Sequence, residues 1–87
     1  MARIVLADDD PELVDVLCLA LGEEGHEVRA AGDGLVALEV LRAWPADLLV
    51  TDVNMPRLDG FALCRRLRGA GVDLPILVLT SRDGEVD

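Results

Sequence analysis

A regular alternation of short strand patterns and helical patterns constrains the fold of this 87-residue chain more than any other feature. Short runs bounded by turn residues predict strands at residues 3–7, 26–31, 47–52 and 74–80. Three of these runs are largely apolar, as expected of strands buried on both faces, whereas residues 26–31 are polar enough for a sheet edge. Strands that alternate with helices predict right-handed crossovers and a parallel sheet with helices on both faces.

Each of the three predicted helices follows an aspartate that can cap it by accepting hydrogen bonds from amides of the first turn. The helices cover residues 11–23, 35–43 and 61–68, behind Asp10, Asp33 and Asp59. The residues that we expect to face the core are Leu13, Leu17, Ala20 and Leu21 in the first helix, Leu35, Leu38 and Leu41 in the second, and Phe61, Cys64 and Leu67 in the third. The middle of the last strand, Ile76–Leu79, is expected to be buried.

Composition favours a globular cytoplasmic domain with an aliphatic core. The chain is 52% hydrophobic, 29% charged and only 2% aromatic, which is unlike a disordered segment. Its net charge of −9 argues against direct binding to nucleic acid or to an anionic membrane. No apolar stretch reaches the length of about 18 residues that a membrane span requires, and the first strand leaves no room for a signal peptide. We therefore expect Cys18 and Cys64 to be reduced and buried.

Two of the predicted strands end in aspartate. Asp8 and Asp9 follow the first strand, and Asp52 ends the third. Because the carboxyl ends of parallel strands meet at one edge of a sheet, these carboxylates are expected to lie together. Two carboxylates about 4 Å apart repel each other by roughly 4 kcal/mol at an effective dielectric constant of about 20, and a divalent cation bound through oxygen relieves that repulsion. Mg²⁺ suits such ligands, whereas Zn²⁺ would require a cluster of His and Cys that the sequence lacks. The last strand ends in Thr80, whose hydroxyl can bind an anion seated on the carboxylates.

Several acids near these positions also have a simpler structural interpretation. Asp10 and Asp59 are more simply helix caps than ligands, and Asp47 is most simply a surface charge at the start of the third strand. Asp8 or Asp9, taken alone, is compatible with a solvated loop acid. The joint pattern of two buried strands that both end in aspartate favours the metal site over these separate interpretations.

Four segments resemble the receiver domain of two-component response regulators in their order and spacing. They are IVLADDDP at residues 4–11, PADLLVTD at 45–52, MPRLDG at 55–60 and LPILVLTS at 74–81. The resemblance covers essentially the whole chain. It implies a flavodoxin-like (CheY-like), doubly wound parallel sheet of strand order 2-1-3-4, with the site at its topological switch point.

The same resemblance implies a role for each candidate site residue in a signalling module that is not an enzyme. Asp52 would be the phosphoacceptor, and Thr80 the switch hydroxyl. Asp9, Asp52 and the main-chain carbonyl of Asn54 would bind Mg²⁺ directly, and Asp8 would act mostly through water. The phosphoryl donor would be a phosphohistidine of a partner sensor histidine kinase, or a small acyl phosphate. The added charge of about −1.5 to −2 would bias a two-state surface.

The carboxyl end of the chain differs from the family pattern. The family continues after the fourth strand with a helix, a fifth strand that carries a lysine, and a last helix, whereas this chain stops at Asp87 and contains no lysine. Arg57 or Arg82 would replace that lysine only in part, because a guanidinium fork is not a compact ammonium. Residues 1–87 are therefore expected to be a truncated receiver domain, either a fragment or a natural short protein. Its exposed fourth-strand edge predicts a homodimer or a domain-swapped assembly.

Two other functions fit parts of the pattern. The first is an interaction module of the same fold that is never phosphorylated and serves only dimerisation or docking. The second is a phosphatase like the haloacid dehalogenases, in which Asp8 would be the nucleophile and Asp10 its acidic partner. That enzyme would also need a catalytic lysine, which this chain lacks.

Overall fold

The structure is a computed structural model that describes residues 1–79 and shows strands and helices in strict alternation. The elements are β1 (Arg3–Ala7), α1 (Pro11–Glu23), β2 (Glu27–Ala31), α2 (Gly34–Ala43), β3 (Leu48–Asp52), α3 (Gly60–Gly69) and β4 (Ile76–Leu79). The four strands form one parallel sheet of order β2-β1-β3-β4. This confirms the predicted doubly wound α/β sheet and the position of β2 at an edge.

The strand register brings the carboxyl ends of the four parallel strands to one edge of the sheet. Ala7, the last residue of β1, pairs with Ala31 of β2 and with Thr51 of β3. Asp52, at the end of β3, pairs with Leu79 of β4. The residues that immediately follow β1 therefore lie beside the end of β3.

The three predicted helix caps are confirmed. Asp10, Asp33 and Asp59 are the N-caps of α1, α2 and α3. Their carboxylates accept from the amides of Glu12 and Leu13, of Val36 and of Ala62, at distances of 3.1, 3.4, 2.9 and 2.8 Å. The simpler interpretation of Asp10 and Asp59 as caps is therefore correct, and α2 and α3 each begin one residue earlier than predicted.

The two faces of the sheet carry separate apolar clusters. Along β1, Val5 and Ala7 pack with α2 and α3 on one face, while Ile4 and Leu6 pack with α1 on the other. All four side chains are at most 3% exposed. Burial on alternate faces explains why β1 is continuously apolar, as is typical of a central parallel strand. Among the described residues, no helix combines the length and hydropathy that crossing a bilayer would require.

The predicted core face of α1 is partly wrong. Leu13 is 37% exposed and Ala20 is also exposed. The residues of α1 that pack on the sheet are Val14, Leu17, Cys18 and Leu21. These positions follow the i, i+3, i+4, i+7 spacing of a helical stripe, so the helix is rotated by part of a turn from the predicted orientation.

The expected burial of α3 and β4 also needs correction. Leu67 is buried as predicted, but Phe61 is 53% exposed and Cys64 is half-buried; the second buried leucine of α3 is Leu63, one turn before Leu67. Leu77 of β4 is 52% exposed, and the rest of that strand is half-buried. The reason is that β4 is an edge strand within the described residues, and Leu77 lies outside the cluster that α1 covers.

The two cysteines are free thiols in this structure, as expected. Both are half-buried and not fully buried as predicted. Burial raises the pKa of the Cys18 thiol, and the nearby carboxylate of Asp15 raises it further. Cys18 is therefore a packing residue of α1 with a weakly acidic thiol.

Candidate metal site

Three carboxylates converge where β1 and β3 end. Asp8, Asp9 and Asp52 each offer one oxygen, and these oxygens all lie within 4.8 Å of one another. Asp8 is 4% exposed and Asp52 is 5% exposed, whereas Asp9 is exposed. The predicted juxtaposition of these residues is therefore present, with two buried carboxylates and one that faces solvent.

Asp8 is held between the start of α1 and the end of β2. Its Oδ1 accepts from the amide of Asp10 at 2.9 Å, and its own amide donates to the carbonyl of Ala31 at 3.0 Å. Burial raises the pKa of Asp8; the Asp10 amide opposes this, and the nearby carboxylates of Asp52 and Asp9 add to it. The charged form of Asp8 is thus poorly compensated by the protein alone, and a bound cation would compensate it.

Asp52 is fixed by its immediate neighbours in the chain. Its Oδ1 accepts from the amide of Val53 at 2.7 Å. The hydroxyl of Thr51 is fully buried and donates to the main-chain carbonyl of Asp52 at 2.9 Å. These two bonds hold the end of β3 and the carboxylate in one orientation.

The loop after β3 returns closely along the strand end. The amide of Gly60 donates to the carbonyl of Val53 at 2.9 Å, and a Cβ at position 60 would overlap the main-chain oxygen of Asp52. Met55 is buried in the cluster beneath α2 and α3 and anchors the loop. Asn54, the predicted carbonyl ligand, lies in this loop, two residues after Asp52, and is exposed.

Arg57 is engaged away from the carboxylate cluster. Its guanidinium donates to Oδ2 of Asp33 from Nε at 3.1 Å and from Nη2 at 2.7 Å. Arg57 therefore pairs with Asp33. In this structure it does not serve as the partial replacement for the family's lysine that the sequence suggested. Sequence reasoning missed this pair, because the two residues are 24 positions apart and each already had a local interpretation.

The remaining predicted positions have separate outcomes. Thr80 and Arg82 lie outside the described residues, so the role of Thr80 as the switch hydroxyl stays a prediction. Leu79, the last described residue of β4, pairs with Asp52. Asp47 lies at the other end of β3, where its carboxylate accepts from the amide of Arg3 at 2.8 Å. Asp47 is thus an exposed residue that also ties β3 to β1.

Two cavities differ in their relation to the carboxylates. A cavity of about 690 Å³ lies between α2, α3 and the start of β4, and none of the three carboxylates lines it. A smaller cavity of about 290 Å³ is lined by Asp8 and Asp9 and extends between the start of α1 and the end of β2. The smaller cavity therefore borders two of the three carboxylates of the cluster.

The donor set matches a hard divalent cation. The cluster offers only carboxylate oxygens, the ligand type that Mg²⁺ and Ca²⁺ prefer. It contains no imidazole or thiolate, which Zn²⁺ sites usually employ. Two buried acids side by side, one of them with a raised pKa, are the electrostatic setting in which such a cation stabilises the folded chain.

The sequence is similar to those of known response regulators. A family model described as "Response regulator receiver domain" matches residues 4–87. The chain is 51% identical over 81 residues to the response regulator MprA of Mycobacterium tuberculosis (strain H37Ra). That match covers 93% of this chain but 35% of MprA. The chain therefore spans about a third of the length of this curated relative.

Solved structures of response regulators have the same fold. The Francisella response regulator 1452 receiver domain superposes with a TM-score of 0.91 at 29% identity, over 98% of this chain and 70% of that one. The response regulator TrrA from Thermotoga maritima, solved in complex with Mg(2+)-BeF, superposes with a TM-score of 0.88 at 32% identity, over 95% of this chain and 72% of that one. These matches confirm the CheY-like fold. With the strand order and the acidic cluster, they establish that the chain belongs to the receiver domain family of two-component response regulators.

Proposed function

We propose that this chain accepts a phosphoryl group on Asp52 in a Mg²⁺-dependent reaction and thereby relays a two-component signal. The convergence of Asp8, Asp9 and Asp52 within 4.8 Å carries this proposal. Residues 1–87 act in it as one receiver domain. Membership of the receiver family makes phosphorelay signalling the function that the geometry supports best.

Asp9, Asp52 and the main-chain carbonyl of Asn54 hold Mg²⁺ directly in this proposal, and Asp8 acts mostly through water. The donor set fits a hard cation, and the similar protein TrrA was solved in complex with Mg(2+)-BeF. When bound, the cation supplies positive charge that neutralises phosphoryl oxygens during transfer. The buried carboxylate of Asp8 would contribute negative charge beside the bound cation.

Asp52 is the nucleophile. The amide of Val53 binds Oδ1, which leaves the other carboxylate oxygen to attack phosphorus. A P–O bond then forms on Asp52 while the donor's bond to phosphorus breaks and the leaving group departs with that electron pair. The donor is a phosphohistidine of a sensor histidine kinase or a small acyl phosphate. Thr80 then binds the new phosphoryl group, and this movement biases the neighbouring surface between two states.

The outer edge of β4, beside which the described residues place no further strand, is the proposed site of self-association. Leu77 is 52% exposed on this strand, and unpaired strand edges recruit further strands. A second copy of this chain covers the edge, either as a homodimer or by exchange of an element. The same surface favours a second candidate function, in which the fold is an interaction module that is never phosphorylated.

Incubation with acetyl phosphate and Mg²⁺, followed by intact-protein mass spectrometry, tests the function. The wild-type chain should gain the mass of one phosphoryl group, and Asp52→Asn should not. Asp47→Asn is the matched control, because it removes one carboxylate at the opposite end of the same strand and should leave the mass gain intact. Equal labelling of wild type and Asp52→Asn, or no labelling of either, would reject the phosphoacceptor and favour the interaction module.

A further inference from the structure

The loop between β3 and α3 contains a strained turn centred on Arg57. Arg57 has a φ of 71°, and it is the non-glycine residue with positive φ in the described part of the chain. The amide of Leu58 donates to the carbonyl of Pro56 at 2.7 Å, which closes a three-residue γ-turn. The positive-φ form of this turn is rare and persists only where the surrounding structure holds it.

The carboxylate of Asp33 is the group that holds this turn. Both bonds from the Arg57 guanidinium end on Oδ2 of Asp33, while Oδ1 accepts from the amide of Val36 and caps α2. The Asp33 side chain is only 12% exposed, whereas that of Arg57 is 57% exposed. Asp33 is therefore anchored at the start of the helix, and it binds the more exposed side chain of Arg57.

A second contact reinforces the first at the same place. The main chain of Leu58 lies so close to Gly34 that any Cβ at position 34 would overlap the Leu58 carbonyl oxygen. The start of α2 thus holds the γ-turn in two ways. Gly34 packs closely against Leu58, and Asp33 binds Arg57 through charge. At its other end the loop is closed by the bond from Gly60 to Val53.

We infer that Asp33 and Arg57 are positioning residues for the cation site. They hold the loop that carries Asn54 beside the Asp52 carboxylate. Neither residue belongs to the acidic cluster itself. The loop they fix begins directly after Asp52, and Asn54 lies three residues before Arg57. This inference rests on the proposed Mg²⁺ site for its functional consequence, but the hold on the loop is a property of the chain without metal.

Two substitutions at position 57 distinguish the effect of the Asp33–Arg57 ion pair from the effect of the backbone strain at positive φ. Arg57→Ala removes the pair and leaves a side chain that resists positive φ, whereas Arg57→Gly removes the pair but adopts positive φ without strain. Asp33→Asn neutralises the partner while its amide oxygen still caps α2. Calorimetric titration with Mg²⁺ should show affinity about tenfold weaker for Arg57→Ala and Asp33→Asn, as for other residues that orient metal ligands. Arg57→Gly should recover most of that loss.

Amide hydrogen exchange without metal supplies an independent measurement. The Leu58 amide should exchange faster in Arg57→Ala and Asp33→Asn than in wild type, and Arg57→Gly should restore its protection. Asp47→Asn, with the same loss of charge at the far end of the sheet, should change neither the exchange nor the Mg²⁺ affinity.

Unchanged Leu58 exchange and unchanged Mg²⁺ affinity in Arg57→Ala would overturn the inference. So would an Arg57→Gly variant as impaired as Arg57→Ala, because the pair would then act on something other than the turn. If the wild-type chain binds no Mg²⁺, the proposed metal site fails, and the Leu58 exchange still decides whether Asp33 and Arg57 hold the loop.

Discussion

Asp8 and Asp52 present carboxylate oxygens within 4.8 Å of each other although both side chains are at least nine-tenths buried. The parallel pairing of Ala7 with Thr51 forces this proximity, because each aspartate is the next residue on its own chain segment. The backbone register therefore maintains the repulsion between the two acids.

Asp8→Asn should stabilise the chain in the absence of divalent cations. Burial raises the pKa of Asp8, so its ionised form lowers stability at neutral pH, and the substituted amide oxygen can still accept from the Asp10 amide. We expect a gain of about 1 kcal/mol, the size of a typical single-substitution effect. Urea denaturation with and without MgCl₂ measures it. Mg²⁺ should raise the stability of wild type more than that of Asp8→Asn, and the reverse order would contradict the prediction.

The Asp33 carboxyl should make the folded chain sensitive to acid. The amide of Val36 and the Arg57 guanidinium hold the pKa of Asp33 below its usual value of 3.8. Its contribution to stability is therefore complete above the unfolded pKa and is lost as the pH falls through the folded pKa. The unfolding free energy of wild type should decline more steeply below about pH 4 than that of Asp33→Asn. Denaturant melts at successive pH values measure both slopes, and parallel curves would refute this assignment.

Gly60→Ala should strongly destabilise the chain. A Cβ at this position would overlap the main-chain oxygen of Asp52, which ends the paired strand β3. A loss of about 2 kcal/mol or more is expected for such overpacking. Gly69→Ala in the same helix is the control, because nothing lies within 4 Å of its added Cβ, and it should be neutral or slightly stabilising. Similar thermal midpoints for the two variants would show that the loop after β3 can yield.

Leu77→Glu should weaken self-association if the β4 edge is the contact surface. A charge on an exposed strand edge opposes pairing with another chain. Phe61→Glu is a closely matched control, since Phe61 is 53% exposed and Leu77 is 52% exposed, and Phe61 lies on a helix. Sedimentation equilibrium should show a monomer for Leu77→Glu alone. A wild-type chain that is monomeric at high concentration would contradict self-association through the β4 edge.

The caps and the acidic cluster could be predicted because each depends on local pattern or on backbone register, whereas the strand order was predicted from the family resemblance. An aspartate before a helix caps it wherever the helix packs, and Asp8 and Asp52 meet when their strands pair in parallel with their carboxyl ends level. The orientation of helices could not be predicted in the same way. Leu13 and Phe61 are exposed because packing on the sheet decides which apolar stripe faces inward.

The Asp33–Arg57 pair shows a second limit of sequence reasoning. Arg57 lies in a segment that the family resemblance identified and Asp33 was predicted only as a helix cap, but a contact over 24 positions leaves no periodic signal. The exposure of Leu77 shows a third limit, because an apolar run predicts a strand without showing how much of it is covered.

In the described structure α1 is the helix whose side chains cover the cluster around Ile4, Leu6 and Val50, and none of its own residues is fully buried. Its docking is therefore expected to be the weakest tertiary contact in this part of the molecule, and partial opening should begin there. Asp9 lies just before that helix, so each opening would also loosen one corner of the acidic cluster. The residence time of a bound ion and the lifetime of docked α1 should therefore increase or decrease together.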